Sequence, residues 1–204
     1  MAKSMSATDT RQHIIEAADR LFYEHGFEAT SFADISEAVQ ISRGNFYYHF
    51  KSKDEILDAV IALRLARTRS MLDMWEAEER EPIARIRSFI QILIMNRAKI
   101  MLYGCPVGTL CNELAKLDHA AQPQANKLFT LFHDWLKQQF TALGRAADAD
   151  VLALHLLARS QGVATLANAF RQEDFIHREV DGMFAWLDAE RRRSARGRVR
   201  GSTV

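Results

Sequence analysis

The segment from Ser42 to Lys53 carries side chains whose types suit hydrogen bonding to double-stranded DNA. Between Gln40 and Lys53 the chain has three cations and a histidine and no acidic residue, although its net charge is only +1. Arginine and asparagine match the edges of guanine and adenine, whereas hydroxyl, imidazole and ammonium groups suit phosphate oxygens. The pattern therefore predicts a local DNA-contacting strip and not a basic domain.

Residues 43–50 predict a helix with a distinct outward face. At 3.6 residues per turn, Phe46 and Phe50 share one side and are expected to pack into a core, while Gly44 lies opposite them. A glycine there lets the backbone approach the duplex, and arginine and asparagine in the first turn are placed to read base edges. The predicted DNA-contacting residues are Ser31, Arg43, Gly44, Asn45, Tyr47, Tyr48, His49 and Lys53.

Capping signals around this segment predict three helices followed by a longer one. A helix over residues 10–25 is followed by a second that Ser31 caps, with Asp34 as its partner in a capping box. The third and fourth helices begin at Ser42 and Ser52, and the latter opens a second capping box. This order of short, closely spaced helices is typical of a helix-turn-helix domain.

Residues 35–57 resemble the DNA-binding signature of the TetR family of bacterial transcriptional repressors. The most specific part is the run Phe-Tyr-Tyr-His-Phe-Lys-Ser-Lys at 46–53, and the resemblance extends over residues 11–57. It implies that the motif residues at Arg43, Gly44 and Asn45 face the major groove. It also implies that the remaining five predicted contacts hold the DNA backbone.

The sequence departs from the family pattern at two positions in the second helix and the turn. Gln40 stands where the family usually has glycine, and a side chain there costs about 1 kcal/mol if φ is positive. Ser36 stands where alanine is usual. Neither change removes a predicted DNA-contacting group.

Two other kinds of function compete with this interpretation. The aromatic side chains of residues 46–50 would also suit a contact between proteins, so one alternative is a helical protein-interaction module, or an activator without small-molecule control. The other is an enzyme that uses Cys105 with a histidine, but the sequence has no nucleophile elbow, phosphate loop, dinucleotide fingerprint or metal motif. We therefore expect no enzymatic activity and no cofactor.

The whole chain predicts an all-α fold, because only 3 prolines and 9 glycines interrupt long stretches of apolar helical periodicity. A break is expected over residues 103–108. Later helices are expected to start at Pro82 and to cover residues 111–117, 121–143, 150–169 and 174–193. The predicted domains are a helix-turn-helix DNA-binding domain over 1–53, a helical effector-binding and dimerisation domain over 54–193, and a flexible basic tail over 194–204.

The helix predicted over residues 150–169 is apolar around much of its circumference, which indicates burial on more than one side. The resemblance implies a divergent ligand-binding domain whose last two helices form a four-helix dimer interface. We therefore expect a homodimer on a near-palindromic operator. A monomer with a central helix is the alternative.

The segment over residues 103–114 is the second unusual stretch. Its Gly-Cys-Pro-Val-Gly core looks like a segment in one subgroup of the family, which includes regulators that respond to electrophilic or unsaturated small molecules. Cys105 would lie near a helix N-terminus, an environment that activates thiols, although a buried cysteine acting as a small apolar residue is the alternative. We therefore expect a repressor that a small apolar or electrophilic effector releases from DNA. The candidate effector-binding residues are Tyr103, Cys105, Cys111, His133 and Arg159.

Composition argues against several other classes of protein. The two cysteines are too few for a disulfide scaffold, and the most apolar run, over residues 89–95, is too short to cross a bilayer. The first six residues show no secretory leader. The seven histidines form no pair at helical spacing, so we expect no structural metal site. The expected protein is cytoplasmic and nucleoid-associated, with no membrane partner and a basic tail that is solvated or, alternatively, touches nucleic acid.

Overall fold

All regular secondary structure is helical in a computed structural model that describes residues 7–201, with side chains described from residue 8 to residue 193. No strand occurs within that range, and the predicted fold class is confirmed. The helices of this part of the chain are α1 (Ala7–His25), α2 (Phe32–Val39), α3 (Arg43–His49), α4 (Lys53–Glu78), α5 (Pro82–Met95), α6 (Arg97–Tyr103), α7 (Pro106–Lys116), α8 (Gln122–Ala142), α9 (Ala149–Phe170) and α10 (Glu173–Gly201).

Side-chain caps begin α2 and α3 at the predicted positions. Ser31 Oγ accepts a hydrogen bond from the backbone amide of Asp34 at 3.1 Å, and the Asp34 carboxylate accepts one from the Ser31 amide at 2.7 Å. This backbone hydrogen bond holds the pKa of Asp34 below its ordinary value. Ser42 Oγ accepts from the amide of Asn45 at 3.3 Å. The caps satisfy donors that have no partner within the first turn of a helix.

The capping box predicted at the start of α4 forms with a shift of one residue. Ser52 Oγ accepts from the amide of Glu55 at 3.1 Å, as expected. The Glu55 carboxylate, however, accepts from the amide of Lys51 at 2.7 Å and not from that of Ser52. Glutamate is one methylene longer than the aspartate in the α2 box, which lets its carboxylate reach one residue further back.

The first of two compact units contains α1, α2, α3, α7, the part of α4 up to Thr68 and the part of α8 up to Leu128. Within it, α1 packs against both α2 and α7. The apolar stripes predicted for the first three helices lie in the core of this unit, apart from Phe32, which is half-buried. The core residues of these three helices and their connections include Ile14, Ala18, Leu21, Phe22, Phe27, Ile35, Val39, Phe46 and Phe50.

The break predicted over residues 103–108 is shorter than expected. α6 ends at Tyr103, and two residues separate it from α7, which begins at Pro106. A proline suits the first turn of a helix because no intrahelical amide is needed there. Gly108 is buried inside α7. The prediction of a break was therefore wrong for Pro106 and Gly108. Pro106 begins a helix, and Gly108 lies in its packed interior.

The second unit contains α5, α6, α9 and α10 with the remaining parts of α4 and α8. In it, α5 packs against α10, α6 against α9, and α9 against α10. The rings of Trp75 and Trp135 have centroids 5.6 Å apart, and the Glu76 carboxylate accepts from the indole nitrogen of Trp135 at 2.8 Å. Glu190 is buried and forms an ion pair with Arg145, so its charge is compensated inside the unit.

α10 is longer than the sequence predicted. Its expected end was near Arg193, but the backbone of the helix continues to Gly201. Residues 194–201 include an alanine and three arginines, which are good helix formers, and no proline, although they also include two glycines. The predicted basic tail covers residues 194–204. Its side chains, and residues 202–204 as a whole, lie outside the described part of the chain.

Gln40 ends α2 in the left-handed region of backbone conformation. Its φ is +52° and its ψ +42°, and its amide donates to the carbonyl of Glu37 at 3.1 Å. The positive φ considered from the sequence is therefore present. A side chain with a Cβ is strained in this region, whereas glycine is not.

We expect Gln40→Gly to raise the free energy of unfolding by about 1 kcal/mol, because it removes the Cβ strain at this position. Urea denaturation of the full chain measures the change. The matched control is Ala38→Gly, which puts the same residue inside α2 and should lower the free energy of unfolding by about 1 kcal/mol. A loss of stability for Gln40→Gly would contradict the strain argument.

Candidate nucleic-acid interface

The first turn of α3 presents the residues predicted to read bases. Arg43, Gly44 and Asn45 are all exposed, and Phe46 directly after them is buried. The outward and inward faces expected from the helical period are thus the ones observed. The three exposed residues lie together at the N-terminal end of a short helix, which is the part of a recognition helix that meets base edges.

Gly44 is not required by the packing of α3. A Cβ built at this position meets no heavy atom within 4 Å. Its φ is not in the region that L-residues avoid. The fold of the unit would therefore accept a larger residue here, so packing within the unit does not account for the glycine.

An aromatic cluster fixes the angle between α2 and α3. The ring of Phe32 meets that of Phe46 edge-on at 4.7 Å and stacks on that of Tyr47 at 5.3 Å. On the other side, the Arg11 guanidinium lies 4.8 Å from the centroid of the Phe50 ring. These contacts pack α3, and Phe50 directly after it, against α2 on one side and α1 on the other. Sequence reasoning did not identify the contribution of Arg11.

The residues predicted to hold phosphates differ in their exposure. Tyr48 is 72% exposed and Tyr47 50%, so both hydroxyl groups can reach a ligand outside the unit. His49 is half-buried and packs edge-on against Tyr48 at 5.1 Å. Ser31 is exposed at the start of α2, where its Oγ accepts from the Asp34 amide and keeps its own hydrogen for another acceptor.

Lys53 makes contacts within the unit that the sequence did not predict. Its ammonium donates to the carbonyl of Phe27 at 3.0 Å and to that of Glu28 at 3.3 Å, and it lies 4.3 Å from the Phe27 ring centroid. An ammonium has three donors, so one remains for a phosphate. Lys51, which was not among the predicted contacts, donates to the carbonyl of Tyr47 near the end of α3.

The loop between α1 and α2 depends on a residue that the sequence analysis missed. The Glu113 carboxylate on α7 accepts hydrogen bonds from the amides of Phe27 and Glu28, each at 2.9 Å. Eighty-six residues separate Phe27 from Glu113 in the chain. No local pattern signals such a pairing, because capping and periodicity report only on neighbours in sequence.

The five candidate effector-binding residues have different surroundings. Tyr103 and Cys105 belong to the second unit, where both are half-buried. Cys111 is buried on α7 in the first unit, and both cysteines are reduced. The remaining two, His133 and Arg159, contact carboxylates within the second unit.

These contacts with carboxylates involve different helices. His133 on α8 lies 3.2 Å from the carboxylate of Asp134 and 3.6 Å from that of Asp150. Arg159 on α9 pairs with Glu179 on α10 at 3.0 Å. Their contacts do not join them into one site.

The described residues contain neither a metal-ligand cluster nor a membrane-spanning helix. No group of three or more histidine, cysteine, aspartate or glutamate side chains in this part of the chain is arranged to hold a metal ion. None of the helices described is both long enough and apolar enough to span a membrane.

Comparisons with known proteins agree with this arrangement. Residues 14–60 match the family model described as bacterial regulatory proteins, tetR family. An HTH-type transcriptional regulator from the lacX 3′ region of Lactococcus lactis subsp. lactis is 28% identical over 177 residues, which cover 85% of this chain and 90% of that protein. The HTH-type transcriptional repressor DhaR of Mycobacterium sp. (strain GP1) is 26% identical over 168 residues, covering 78% and 82% respectively.

The fold is shared with solved structures along nearly the whole chain. A TetR transcriptional regulator from Legionella pneumophila superimposes with a TM-score of 0.76 at 24% identity, covering 93% of this chain and 98% of that one. The relatives found are transcriptional regulators and not enzymes. Residues 14–60 are thus similar to the DNA-binding segment of tetR-family regulatory proteins, and the chain as a whole shares the helical fold of solved TetR regulators.

Proposed function

We propose that the protein is a ligand-responsive repressor that binds a near-palindromic operator as a homodimer and that a small apolar or electrophilic effector releases it. The observation that carries the DNA-binding part is the exposed first turn of α3, whose Arg43, Gly44 and Asn45 the fold itself does not use for packing. Repression is supported by the relative named as a repressor, DhaR. The first test is to measure, by fluorescence anisotropy, whether the protein binds DNA from upstream of its own gene.

Base reading follows from the donors and acceptors on this turn. The Arg43 guanidinium can donate twice to guanine, and the Asn45 amide can both donate to and accept from adenine. Gly44 lets the backbone of α3 lie close to the floor of the groove. Tyr47, Tyr48 and Ser31 flank this turn with hydroxyl groups that suit phosphate oxygens.

Dimerisation is supported by an exposed apolar stripe on α9. Val151 is 68% exposed and Phe170 65%, and Leu154 and Leu166 between them are also exposed. Ala158 and Gly162 lie on the same stripe, and their small size lets another helix approach closely. A soluble chain rarely leaves such a stripe in water, so a second copy of the chain is its proposed partner. Two copies related by a twofold axis require an operator of two inverted half-sites.

The proposed effector enters next to Cys105. This residue is partly exposed directly before the first turn of α7, whereas Cys111 is 4% exposed, so an electrophile reaches Cys105 first. Effector binding would change the spacing of the two recognition helices, which must fit successive grooves at the same time. To release DNA efficiently, the effector must favour the unbound conformation by roughly 5 kcal/mol.

We expect Arg43→Ala and Asn45→Ala each to weaken operator binding by about 1–3 kcal/mol and to relax sequence preference, because each removes a base contact. Fluorescence anisotropy with operator and scrambled duplexes gives both values. The control is Tyr48→Phe, which removes one phosphate-directed hydroxyl and should weaken both duplexes alike. Unchanged discrimination in both the Arg43 and Asn45 variants would disprove the assignment.

We expect Leu154→Glu to convert the dimer to a monomer at micromolar concentration, since it places a charge on the apolar stripe of α9. Analytical ultracentrifugation measures the mass. Leu117→Glu is the matched control, because Leu117 is also partly exposed but lies in the first unit, and it should leave the dimer intact. A wild type that is monomeric while binding its operator tightly would contradict the dimer proposal.

We expect Cys105→Ser to bind the operator as the wild type does but to resist release by thiol-reactive compounds. Mass spectrometry should locate the adduct on Cys105 in the wild type and in the Cys111→Ala control. Release of the Cys105→Ser variant at the wild-type effector concentration would show that the thiol does not carry the response.

A further inference from the structure

The loop after α1 contains two successive backbone amides that donate to one carboxylate. The amide of Phe27 donates to Glu113 Oε2 and that of Glu28 to Oε1, both at 2.9 Å. Successive amides that follow a residue in the left-handed region form a concave anion site, and a carboxylate in it makes charge-assisted hydrogen bonds. Gly26, with φ of +93°, supplies the left-handed residue. Here the anion comes from the protein itself.

Gly26 also makes room for the carboxylate. A Cβ at this position would lie 3.0 Å from Glu113 Oε1 and 3.3 Å from Oε2, which is tighter than ordinary contact. The glycine therefore suits the backbone conformation of this turn, and an added Cβ would make the Glu113 carboxylate shift by a few tenths of an ångström. The same residue ends α1, since its amide donates to the carbonyl of Phe22 at 3.1 Å.

The carbonyls of the same two residues are held from α4. Lys53 donates to the carbonyls of Phe27 and Glu28 at 3.0 and 3.3 Å. Glu113 thus holds the two backbone amides of this dipeptide, and Lys53, which carries the opposite charge, holds its two carbonyls. The Phe27 ring packs edge-on against Phe22 at 5.3 Å and against His119 at 5.1 Å, which anchors the dipeptide in the core of the first unit.

α7 is itself held in the first unit, so that Glu113 is presented in a defined position. Arg64, which is 9% exposed, donates to the carbonyl of Pro106 at 2.6 Å and to the Asp19 carboxylate at 2.6 Å. His119, three residues after the end of α7, lies 3.6 Å from the Asp54 carboxylate on α4. Contacts near both ends of α7 therefore tie it to α1 and α4.

The held dipeptide connects directly to the start of α2. Thr30 donates through its amide to the carbonyl of Phe27 at 3.3 Å and through its hydroxyl to that of Gly26 at 2.7 Å. The next residue is Ser31, the N-cap of α2 and a proposed phosphate contact. The position of this cap therefore depends on the position of the dipeptide.

We propose that Glu113 is a positioning residue for DNA binding: by holding the amides of Phe27 and Glu28, it sets where Ser31 and the N-terminus of α2 meet the DNA backbone. The inference rests on the proposed DNA-binding function. It assigns to α7 a part in operator binding, although this helix lies outside the segment that resembles the family signature. A shift that withdraws Glu113 leaves two amides without their acceptor and releases the loop.

Two variants of the full chain test the proposal. Glu113→Ala removes both acceptors, whereas Glu113→Gln keeps one acceptor oxygen and the size of the side chain. Amide hydrogen exchange at Phe27 and Glu28 should speed up about tenfold or more in the alanine variant, as expected for the loss of hydrogen bonds to a charged group, and less in the glutamine variant. Operator affinity should fall in the same order. Asn112→Ala, an exposed neighbour on α7, is the control and should match the wild type in both measurements.

A double-mutant cycle with Ser31→Ala separates positioning from general stability. If Glu113 acts through the N-terminus of α2, the double variant Ser31→Ala/Glu113→Ala should bind the operator no more weakly than the weaker single variant. Losses that multiply would mean that the two residues act independently, and this result would overturn the proposal. If the alanine variant does not fold, the glutamine variant takes its place in the cycle.

Two further outcomes are decisive. Faster exchange at Phe27 and Glu28 with unchanged operator affinity would overturn the positioning role alone and leave the DNA-binding function intact. If the wild-type protein binds no duplex from upstream of its gene, the proposed function and this inference both fail. The exchange data would still show whether the Glu113 carboxylate holds the amides of Phe27 and Glu28.

Discussion

The burial of Phe46 and Phe50 is the interaction on which the exposed face of α3, the proposed DNA-reading surface, depends. A helix of seven residues such as α3 is not stable alone in water, because nucleation costs more than its few hydrogen bonds contribute. Each buried phenylalanine offsets this cost by roughly 1.5–3 kcal/mol. The exposed residues of α3 take their positions from these two side chains, so the site exists only as the outer face of a packed core.

Local signals were sufficient to predict most of the first unit from the sequence. The caps at Ser31 and Ser42 and the stripe of α1 each depend on residues within a few positions of one another, whereas the question of a positive φ at Gln40 came from the family pattern. Physical rules for capping and helical period act on that scale, which is why they identified the helices and the outward face of α3. The same rules misjudged Pro106 and Gly108, since a residue that breaks one helix can begin or pack another.

Contacts between distant parts of the chain could not be predicted in this way. The partners of Glu113 and the carbonyl contacts of Lys53 arise only when α7, α4 and the loop after α1 come together. Lys53 shows the difficulty well, because its charge and its place in the motif suggested a phosphate contact alone. The chemistry of their side chains predicted the candidate effector residues, whereas the carboxylate contacts of His133 and Arg159 follow from packing that one sequence does not reveal.

The origin of the Glu113 carboxylate has a consequence for how such regulators can be recombined. A chimaera that joins the first 53 residues of this chain to the body of another regulator would carry the amides of Phe27 and Glu28 and also Lys53. It would lack their acceptor unless the recipient supplied a carboxylate at the corresponding place on its own helix. The proposed DNA-reading part is thus discontinuous in sequence, and a graft that keeps the Glu113 contacts must take α7 along with the N-terminal helices.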